Sequence, residues 1–100
     1  MPGATTSINP LFFVYVLESL RDKKRYVGFT NNLKKRIDQH NKGLTFSTKS
    51  RLPMILIYFE ACLNREDAKR REVYLKTTRG RRFLVKRLKT YYKSKLSHRI

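Results

Sequence analysis

Residues 11–29 read LFFVYVLESLRDKKRYVGF, and this stretch decides the fold. Its first seven residues are a continuous apolar run, rich in aromatic and β-branched side chains and too short for a typical helix. Such a run predicts a strand that is buried on both faces. Residues 18–24 are polar, with Asp22 near their middle, and predict a turn. Residues 25–29 predict a second short strand, so the whole stretch predicts a β-hairpin.

A helix and a third strand are predicted directly after the hairpin. Residues 30–32 are Thr, Asn and Asn, each of which can cap a helix, and the apolar residues Leu33 and Ile37 follow four positions apart. Gly43 is a stop signal for this helix. Residues 44–53 then predict a polar loop, and residues 54–59 (MILIYF) have the composition of a strand.

Two further helices are predicted in the C-terminal half. Ala68, Glu72 and Leu75 are spaced so that they share one face of a helix over residues 65–77, and a last helix is predicted after Gly80. The predicted order is therefore β-β-α-β-α-α. This order is typical of an α+β domain in which helices flank a three-stranded, mainly antiparallel sheet.

The length and charge of the chain restrict its class. One hundred residues can build one domain with a modest core, predicted over residues 11–92. Residues 1–10 are expected to be a flexible lead-in and residues 93–100 a basic tail. Because 24 Lys and Arg residues stand against 7 Asp and Glu residues, the net charge is +17. Such an excess repels itself unless an anionic partner neutralises it, which favours binding to nucleic acid.

Several classes of protein are disfavoured. No apolar run approaches the roughly 20 residues that span a bilayer, and residues 1–10 lack the basic start and apolar core of a secretory signal. We therefore expect a cytoplasmic protein associated with nucleic acid and not with a membrane. Cys62 is the one cysteine and there are two His residues, so the chain offers neither an internal disulfide nor a recognisable zinc spacing. The sequence leaves the oligomeric state open.

Three polar residues have the chemistry that phosphodiester cleavage requires. Arg36 has a planar guanidinium suited to phosphate oxygens, and His40 lies one helical turn later, where it can transfer protons near neutral pH. Glu72 is a carboxylate on an otherwise apolar helix face. Mg²⁺ commonly takes one or two carboxylates and completes its shell with water and substrate phosphate, so a single Glu suffices.

Two tyrosines lie on the two strands of the predicted hairpin. Tyr15 and Tyr26 are placed so that they can face each other across the strand pair, although the sequence does not fix the register. A phenol with the ordinary pKa of about 10 is a poor base unless its surroundings help it to lose a proton. A nearby metal and many Lys and Arg residues would help.

These residues carry a resemblance to a known family. Val14-Tyr15-Val16 and Tyr26-Val27-Gly28 resemble the two tripeptides that name the GIY-YIG nucleases, and a turn of plausible length separates them. Residues 31–41 (NNLKKRIDQHN) are similar to the family's first helix, with Arg36 at its catalytic arginine and His40 where many members have histidine. Residues 68–76 (AKRREVYLK) resemble its second conserved helix and place Glu72 at the metal-binding glutamate.

The resemblance implies an activity and a role for each residue. In the family, activated water attacks phosphorus in line, and one divalent metal assists the leaving oxygen. By resemblance, Tyr15 is the general base, Tyr26 orients water or phosphate, and Arg36 stabilises the transition state. His40 relays protons and Glu72 binds Mg²⁺, with Mn²⁺ as the alternative ion. Gly28 is expected to act by shape, letting backbone or substrate approach closely.

The chain also departs from the family pattern. Val14 and Val16 replace the Gly and Ile of the first tripeptide, which a strand tolerates. Several members use a C-terminal asparagine near the site, and no Asn follows Asn64 in this chain. The handling of the leaving group is therefore less well defined by the sequence than the binding of the metal.

Each candidate residue also has a plain structural interpretation. Tyr15 and Tyr26 fit a core, and Arg36 fits a solvated helix face. His40 suits the C-terminal end of a helix, and Glu72 is able to form surface salt bridges with Lys69, Arg71 or Lys76. It is the combination of motifs that favours a site.

The expected function is that of a small standalone endonuclease that acts on DNA, preferring nicked, branched or otherwise structured DNA. Lys35, Lys49 and Arg51 are predicted to contact the nucleic acid. Two alternatives are a non-catalytic DNA- or RNA-binding module with the same fold, and a nuclease subunit that needs a protein partner for substrate choice.

Overall fold

The computed structural model of the chain describes residues 10–98, with side-chain environments up to residue 95. The strands β1, β2 and β3 form one sheet in the order β2-β1-β3, and both strand pairs are antiparallel. The elements in chain order are β1 (Phe12–Ser19), β2 (Arg25–Thr30), α1 (Leu33–Asn41), β3 (Met54–Cys62), α2 (Arg65–Leu75), α3 (Thr78–Arg87) and α4 (Lys89–His98). The predicted α+β class and three-stranded antiparallel sheet are confirmed.

The central strand β1 is buried on both faces, as its apolar run predicts. On one face Val14 and Val16 pack with residues of α2 and α3, among them Leu75 and Leu84. On the other face Tyr15 and Leu17 form a second cluster, against which side chains of α1 pack. Helices therefore cover both faces of the sheet at β1, which is a typical way to bury both sides of an apolar central strand.

β1 extends beyond its apolar run into residues that the sequence pattern assigns to the turn. Glu18 and Ser19 are strand residues and almost completely buried. The Ser19 hydroxyl accepts hydrogen bonds from the backbone N–H groups of Arg21 and Asp22 and donates one to the carbonyl of Arg51. These bonds satisfy the buried hydroxyl, so the strand can continue to Ser19 and the polar turn is shorter than predicted.

Glu18 is a buried carboxylate that joins the end of β1 to α4. It accepts a hydrogen bond of 2.8 Å from the Tyr91 hydroxyl and forms an ion pair with the Lys95 ammonium. A buried charge without such partners would be strongly destabilising. Lys95 belongs to the segment that was expected to be a basic tail, and α4 continues through that segment to His98. Of the expected lead-in, residues 1–9 lie outside the described residues.

The C-terminal helical region differs from its prediction because it contains two helices, α3 and α4, in place of one. α3 ends at Arg87, and the backbone of Leu88 leaves the helical conformation before α4 begins. Gly80, predicted to precede this helix, lies buried inside its first turn. A Cβ atom built on Gly80 would be 2.1 Å from the carbonyl oxygen of Tyr74, so only glycine lets α3 start against the end of α2.

Candidate active site

The register of the β1–β2 hairpin places Tyr15 directly opposite Gly28. A Cβ atom at Gly28 would lie 2.3 Å from both Cζ and the hydroxyl oxygen of Tyr15, so the missing side chain leaves the space that the Tyr15 ring fills. Tyr26 is paired with Leu17, and the two tyrosines are therefore diagonal neighbours on one sheet face, with ring centroids 6.3 Å apart. They share a face, but they are not directly opposite each other.

Helix α1 brings Arg36 and His40 onto the same sheet face. The helix begins after Asn32, whose side chain accepts a hydrogen bond from the Lys35 N–H. The Arg36 Nε lies 3.4 Å from the Tyr15 hydroxyl oxygen, and the His40 Nε2 lies 2.8 Å from the same oxygen. The His40 ring also contacts the Tyr26 ring at 5.1 Å between centroids. Two strands and one helix thus gather four of the five predicted site residues.

His40 is fully buried, and its two ring nitrogens have different partners. Burial, and after it the nearby Arg36 charge, lowers the pKa of His40 to about 4, so its imidazole is neutral at pH 7. The Nδ1 atom is 2.7 Å from the Thr48 hydroxyl oxygen. We assign the tautomer in which Nδ1–H donates to Thr48, because Nε2 then accepts the Tyr15 hydroxyl proton. Both ring nitrogens of His40 and the Tyr15 hydroxyl oxygen then have hydrogen-bond partners.

The Tyr15 hydroxyl is a donor at neutral pH. Burial is the main reason that its pKa is raised to about 12, and the nearby Tyr26 and Glu72 groups raise it further. Arg36 opposes this change because its hydrogen bond to the Tyr15 oxygen lowers the pKa of Tyr15. The same hydrogen bond is the main reason that the pKa of Arg36 is raised. Since burial outweighs the guanidinium, Tyr15 keeps its proton at neutral pH and donates it in a hydrogen bond to His40 Nε2.

Glu72 lies on the face of α2 that also carries the buried residues Ala68 and Leu75. Its side chain is only 13% exposed, yet both carboxylate oxygens have cationic partners on the same helix. Oε1 lies 3.6 Å from the Lys69 Nζ, and Oε2 lies 3.2 Å from the Lys76 Nζ. The sequence suggests either a carboxylate on an apolar helix face or a residue of surface salt bridges. The structure shows both features at Glu72.

The acidic residues fit some metals and not others. Within residues 10–98, no three His, Cys, Asp or Glu side chains come together as a set of metal ligands. A structural zinc site needs about four such ligands, whereas Mg²⁺ is commonly held by one or two carboxylates together with water and phosphate. Glu72 fits the second kind of site. Lys69 and Lys76 are long, exposed side chains that can move aside for a cation.

Sequence reasoning missed two residues that support the site. Thr48 holds His40, but one hydroxyl in a polar loop has no spacing that reveals its partner. Gln39 accepts a hydrogen bond of 3.1 Å from an Nη atom of Arg36, three residues earlier on α1. That spacing puts two side chains on one helix face, so the pattern was sufficient to find Gln39.

The three residues predicted to bind nucleic acid have different surroundings. Lys35 is exposed and lines a groove of about 450 Å³ along α1. Lys49 is exposed, and its ammonium lies 5.1 Å from the centre of the Phe46 ring. Arg51 instead forms a salt bridge of 2.7 Å with Asp22. The hydrogen bond from Arg51 is the main reason that the pKa of Asp22 is lowered to about 2. Its guanidinium has an internal partner, unlike the exposed ammonium groups of Lys35 and Lys49.

We expect the free energy of unfolding to be about 2 kcal/mol smaller at pH 5 than at pH 7 because of His40. In the unfolded chain an imidazole binds a proton below about pH 6.5, whereas folded His40 does so only below about 4. Between these values the unfolded state holds more protons. The stability that neutral, buried His40 contributes is therefore complete above about pH 6.5 and is lost as the pH falls toward 4. Urea unfolding at pH 5 and pH 7 measures this difference, and His40→Gln should remove most of it. If the variant keeps the full difference, another titrating group causes it.

Comparison with known proteins gives consistent matches. A family model described as the GIY-YIG catalytic domain matches residues 11–88. A UPF0213 protein of Clostridium perfringens is 45% identical over 65 residues, which cover 64% of this chain and 69% of that protein. One from Streptococcus pyogenes is 38% identical over 86% of this chain and 94% of its own length. The solution structure of a UPF0213 protein from Bacillus halodurans has a TM-score of 0.49 and 32% identity, and covers 76% of this chain and 83% of its own.

Proposed function

The chain belongs to the GIY-YIG catalytic-domain family, and from that premise we propose that it is a divalent-metal-dependent endonuclease that hydrolyses DNA phosphodiester bonds. One observation carries this proposal beyond the family match. Tyr15, the central residue of the first motif, has its hydroxyl oxygen within 2.8 Å of a neutral imidazole and 3.4 Å of a guanidinium. A proton acceptor and a fixed positive charge thus meet at one oxygen, which is what activation of water next to a phosphate requires.

Each residue of the cluster has a defined part in the proposed reaction. In one concerted step the Tyr15 oxygen takes a proton from the attacking water while its own hydroxyl proton passes to His40 Nε2. Arg36 stabilises negative charge that develops on the phosphate oxygens, and Tyr26 orients the water or the phosphate. The new bond joins the water oxygen to phosphorus as the bond to the leaving oxygen breaks. Gln39 and Thr48 are positioning residues, because they touch Arg36 and His40 and not the reacting atoms.

Glu72 is the residue that we propose would hold the metal, Mg²⁺ or alternatively Mn²⁺. When bound, such an ion acts as a Lewis acid on a phosphate oxygen and stabilises the charge of the departing oxygen. Glu72 contributes a single carboxylate, and the substrate phosphate and water would complete the shell. On its own this carboxylate is a weak ligand set, so Glu72 would hold the ion firmly only together with the substrate phosphate.

A basic path along strand β2 supports a long polyanionic substrate. A groove of about 180 Å³ is lined by residues that include Tyr26, Lys76 and Arg81. A second groove of about 490 Å³ is lined by Lys23, Lys24, Arg25, Arg81 and Tyr92, with no carboxylate among them. Arg25 and Arg81 line both grooves. Together they offer consecutive phosphates a continuous positive surface that begins at Tyr26.

The partners and location proposed for the chain follow from this chemistry. DNA is the proposed partner, in nicked, branched or otherwise structured form. No helix within residues 10–98 has the length and apolarity that a membrane span requires. We propose a cytoplasmic location because the proposed substrate is found there.

The direct test is plasmid cleavage with and without metal. Purified protein is incubated with supercoiled plasmid and with branched oligonucleotides, in Mg²⁺, in Mn²⁺ or in EDTA. We expect nicked and cleaved products with either ion and none in EDTA, because the proposed leaving-group stabilisation depends on the cation. Binding of the same DNA is measured by fluorescence anisotropy as the control. DNA that is bound at full affinity and cut under no condition would contradict the proposal.

One observation favours a second candidate, a nucleic-acid-binding module without turnover. Both oxygens of Glu72 are already engaged by Lys69 and Lys76, as they would be in a protein that never binds a metal there. The plasmid test distinguishes the two, because a binding module shows a steep salt dependence of affinity and no metal-dependent product. A nuclease subunit that needs a protein partner would cut only after that partner is added.

A further inference from the structure

The loop between α1 and β3 presents an aromatic ring to solvent beside the candidate site. Phe46 is 84% exposed, more than any other large apolar residue within the described part of the chain. Leu44, two residues earlier, is also largely exposed. Leaving such a ring in water forgoes the roughly 2 kcal/mol that its burial would contribute. A single exposed apolar side chain is common on protein surfaces, so the ring gains meaning only from its fixed position and its cationic neighbours.

The backbone around Phe46 is held in place by hydrogen bonds. The N–H groups of Thr48 and Lys49 both bond to the carbonyl oxygen of Thr45, at 3.1 and 3.0 Å. Thr45 and Thr48 are buried on either side of the exposed ring. Thr48 is moreover bonded to His40 at 2.7 Å. The backbone of Phe46 is therefore fixed relative to the candidate catalytic residues, because Thr48, two residues later, contacts His40 directly.

Cationic side chains border the loop that carries the ring. The Lys49 ammonium lies 5.1 Å from the ring centre, which is within the range of a cation–π contact. The groove along α1 that Leu44 lines also contains Lys34, Lys35 and Lys42, against one carboxylate, that of Asp38. A protein-docking patch is typically depleted of charge at its core. An exposed ring bordered by ammonium groups is instead the usual platform for a nucleic acid base, whose phosphates meet the cations.

We propose that Phe46 stacks on an unpaired base of the DNA substrate, so that the nuclease prefers DNA with an unpaired nucleotide close to the cleaved bond. This inference rests on the proposed function and names its substrate class. A fully paired duplex keeps its bases stacked inside and offers no face to the ring. A gap, flap or junction offers one without the cost of opening a base pair.

The test compares binding of two DNAs in EDTA, where cleavage does not interfere. One is a fully paired duplex and the other is the same duplex with a three-nucleotide gap, each labelled for fluorescence anisotropy. Stacking on one base predicts that Phe46→Ala weakens binding of the gapped DNA about 5- to 100-fold. The same change should weaken binding of the paired duplex less than about twofold. Phe46→Tyr, which keeps an aromatic face, should retain the wild-type preference.

The matched control is Leu63→Ala, which removes another apolar side chain that is 60% exposed, just after β3. This variant should bind both DNAs as wild type does. Equal losses on both DNAs with Phe46→Ala, or no loss on either, would overturn the inference; the second result is what a protein-docking role predicts. Full affinity of Phe46→Leu for the gapped DNA would also overturn it, because leucine has no stacking face. A protein that shows the Phe46 effect and never cuts refutes the proposed function alone.

Discussion

Glu72→Gln is expected to abolish DNA cleavage while leaving the fold and DNA binding intact. The substitution preserves the shape of the side chain and removes the negative charge that would hold the cation. Loss of a residue that merely orients a metal ligand already costs about 10- to 100-fold in activity, so loss of the ligand itself should cost at least about 100-fold. Plasmid nicking at several Mg²⁺ concentrations measures the effect, and excess Mg²⁺ should restore little activity.

The matched control for this variant lies on the same helix. Glu66→Gln makes the same chemical change in the first turn of α2, where Glu66 is exposed and forms a surface salt bridge of 3.3 Å with Arg65. Its activity should stay within about twofold of wild type. DNA affinity in EDTA should not fall in Glu72→Gln, because one negative charge near the substrate is removed. Equal cleavage by both variants would show that the metal is held elsewhere or is not used.

The second large effect is on stability and concerns Gly80. We expect Gly80→Ala to lower the free energy of unfolding by about 3 kcal/mol, a large part of the 5–15 kcal/mol typical of a whole domain. The added Cβ would lie 2.1 Å from the carbonyl oxygen of Tyr74 and 2.5 Å from Leu75 Cα. These are backbone atoms, so the clash is relieved only if α3 moves away from α2. That movement would expose Leu75 and Leu84, both fully buried in the wild type.

Thermal or urea unfolding measures this effect, and Arg79→Ala is its control. Arg79 precedes Gly80 in the same helical turn and is exposed, so its truncation should change stability by less than about 0.5 kcal/mol. Alanine has the higher helix propensity, and an isolated helix would gain about 1 kcal/mol from Gly80→Ala. A stabilised Gly80→Ala variant would therefore mean that the close approach of α2 and α3 is absent in solution.

Local sequence patterns were sufficient to predict most of the fold. The apolar run that became β1 and the Asn32 cap of α1 depend on neighbours within a few residues, and such signals can be read directly. Leu33 and Ile37 mark the face of α1 in the same way. The strand pairing follows from the short polar turn between β1 and β2. These features needed no knowledge of distant contacts.

Other features depend on partners far along the chain and were missed for that reason. Glu18 looks like a turn residue until Tyr91 and Lys95, more than 70 residues away, supply its partners. Glu60 extends β3 past its apolar stretch because Arg71 donates two hydrogen bonds of 2.9 Å to its carboxylate. A buried charge is tolerated only with such partners, and sequence spacing does not reveal them.

The candidate site shows the same division between local and distant information. The helical spacing of Arg36 and His40 predicts that they share a face, and the structure places both at the Tyr15 hydroxyl. The state of these groups was not predictable, because it depends on burial. The sequence suggests that surrounding cations help Tyr15 to lose its proton, whereas burial raises its pKa to about 12. The pKa of His40 falls to about 4 for the same reason.

The placement of Tyr15 on the central strand has an evolutionary consequence. Its ring fills the space above Gly28 and belongs to the core cluster with Leu17 and Met54. Natural selection for a foldable chain therefore preserves this tyrosine even in a lineage that no longer needs the reaction. Glu72 contributes little to the core, so it would be the first to drift in such a lineage. Under the proposed function, the glutamate would thus be the more informative mark of an active enzyme among relatives, although the tyrosine gives the family its name.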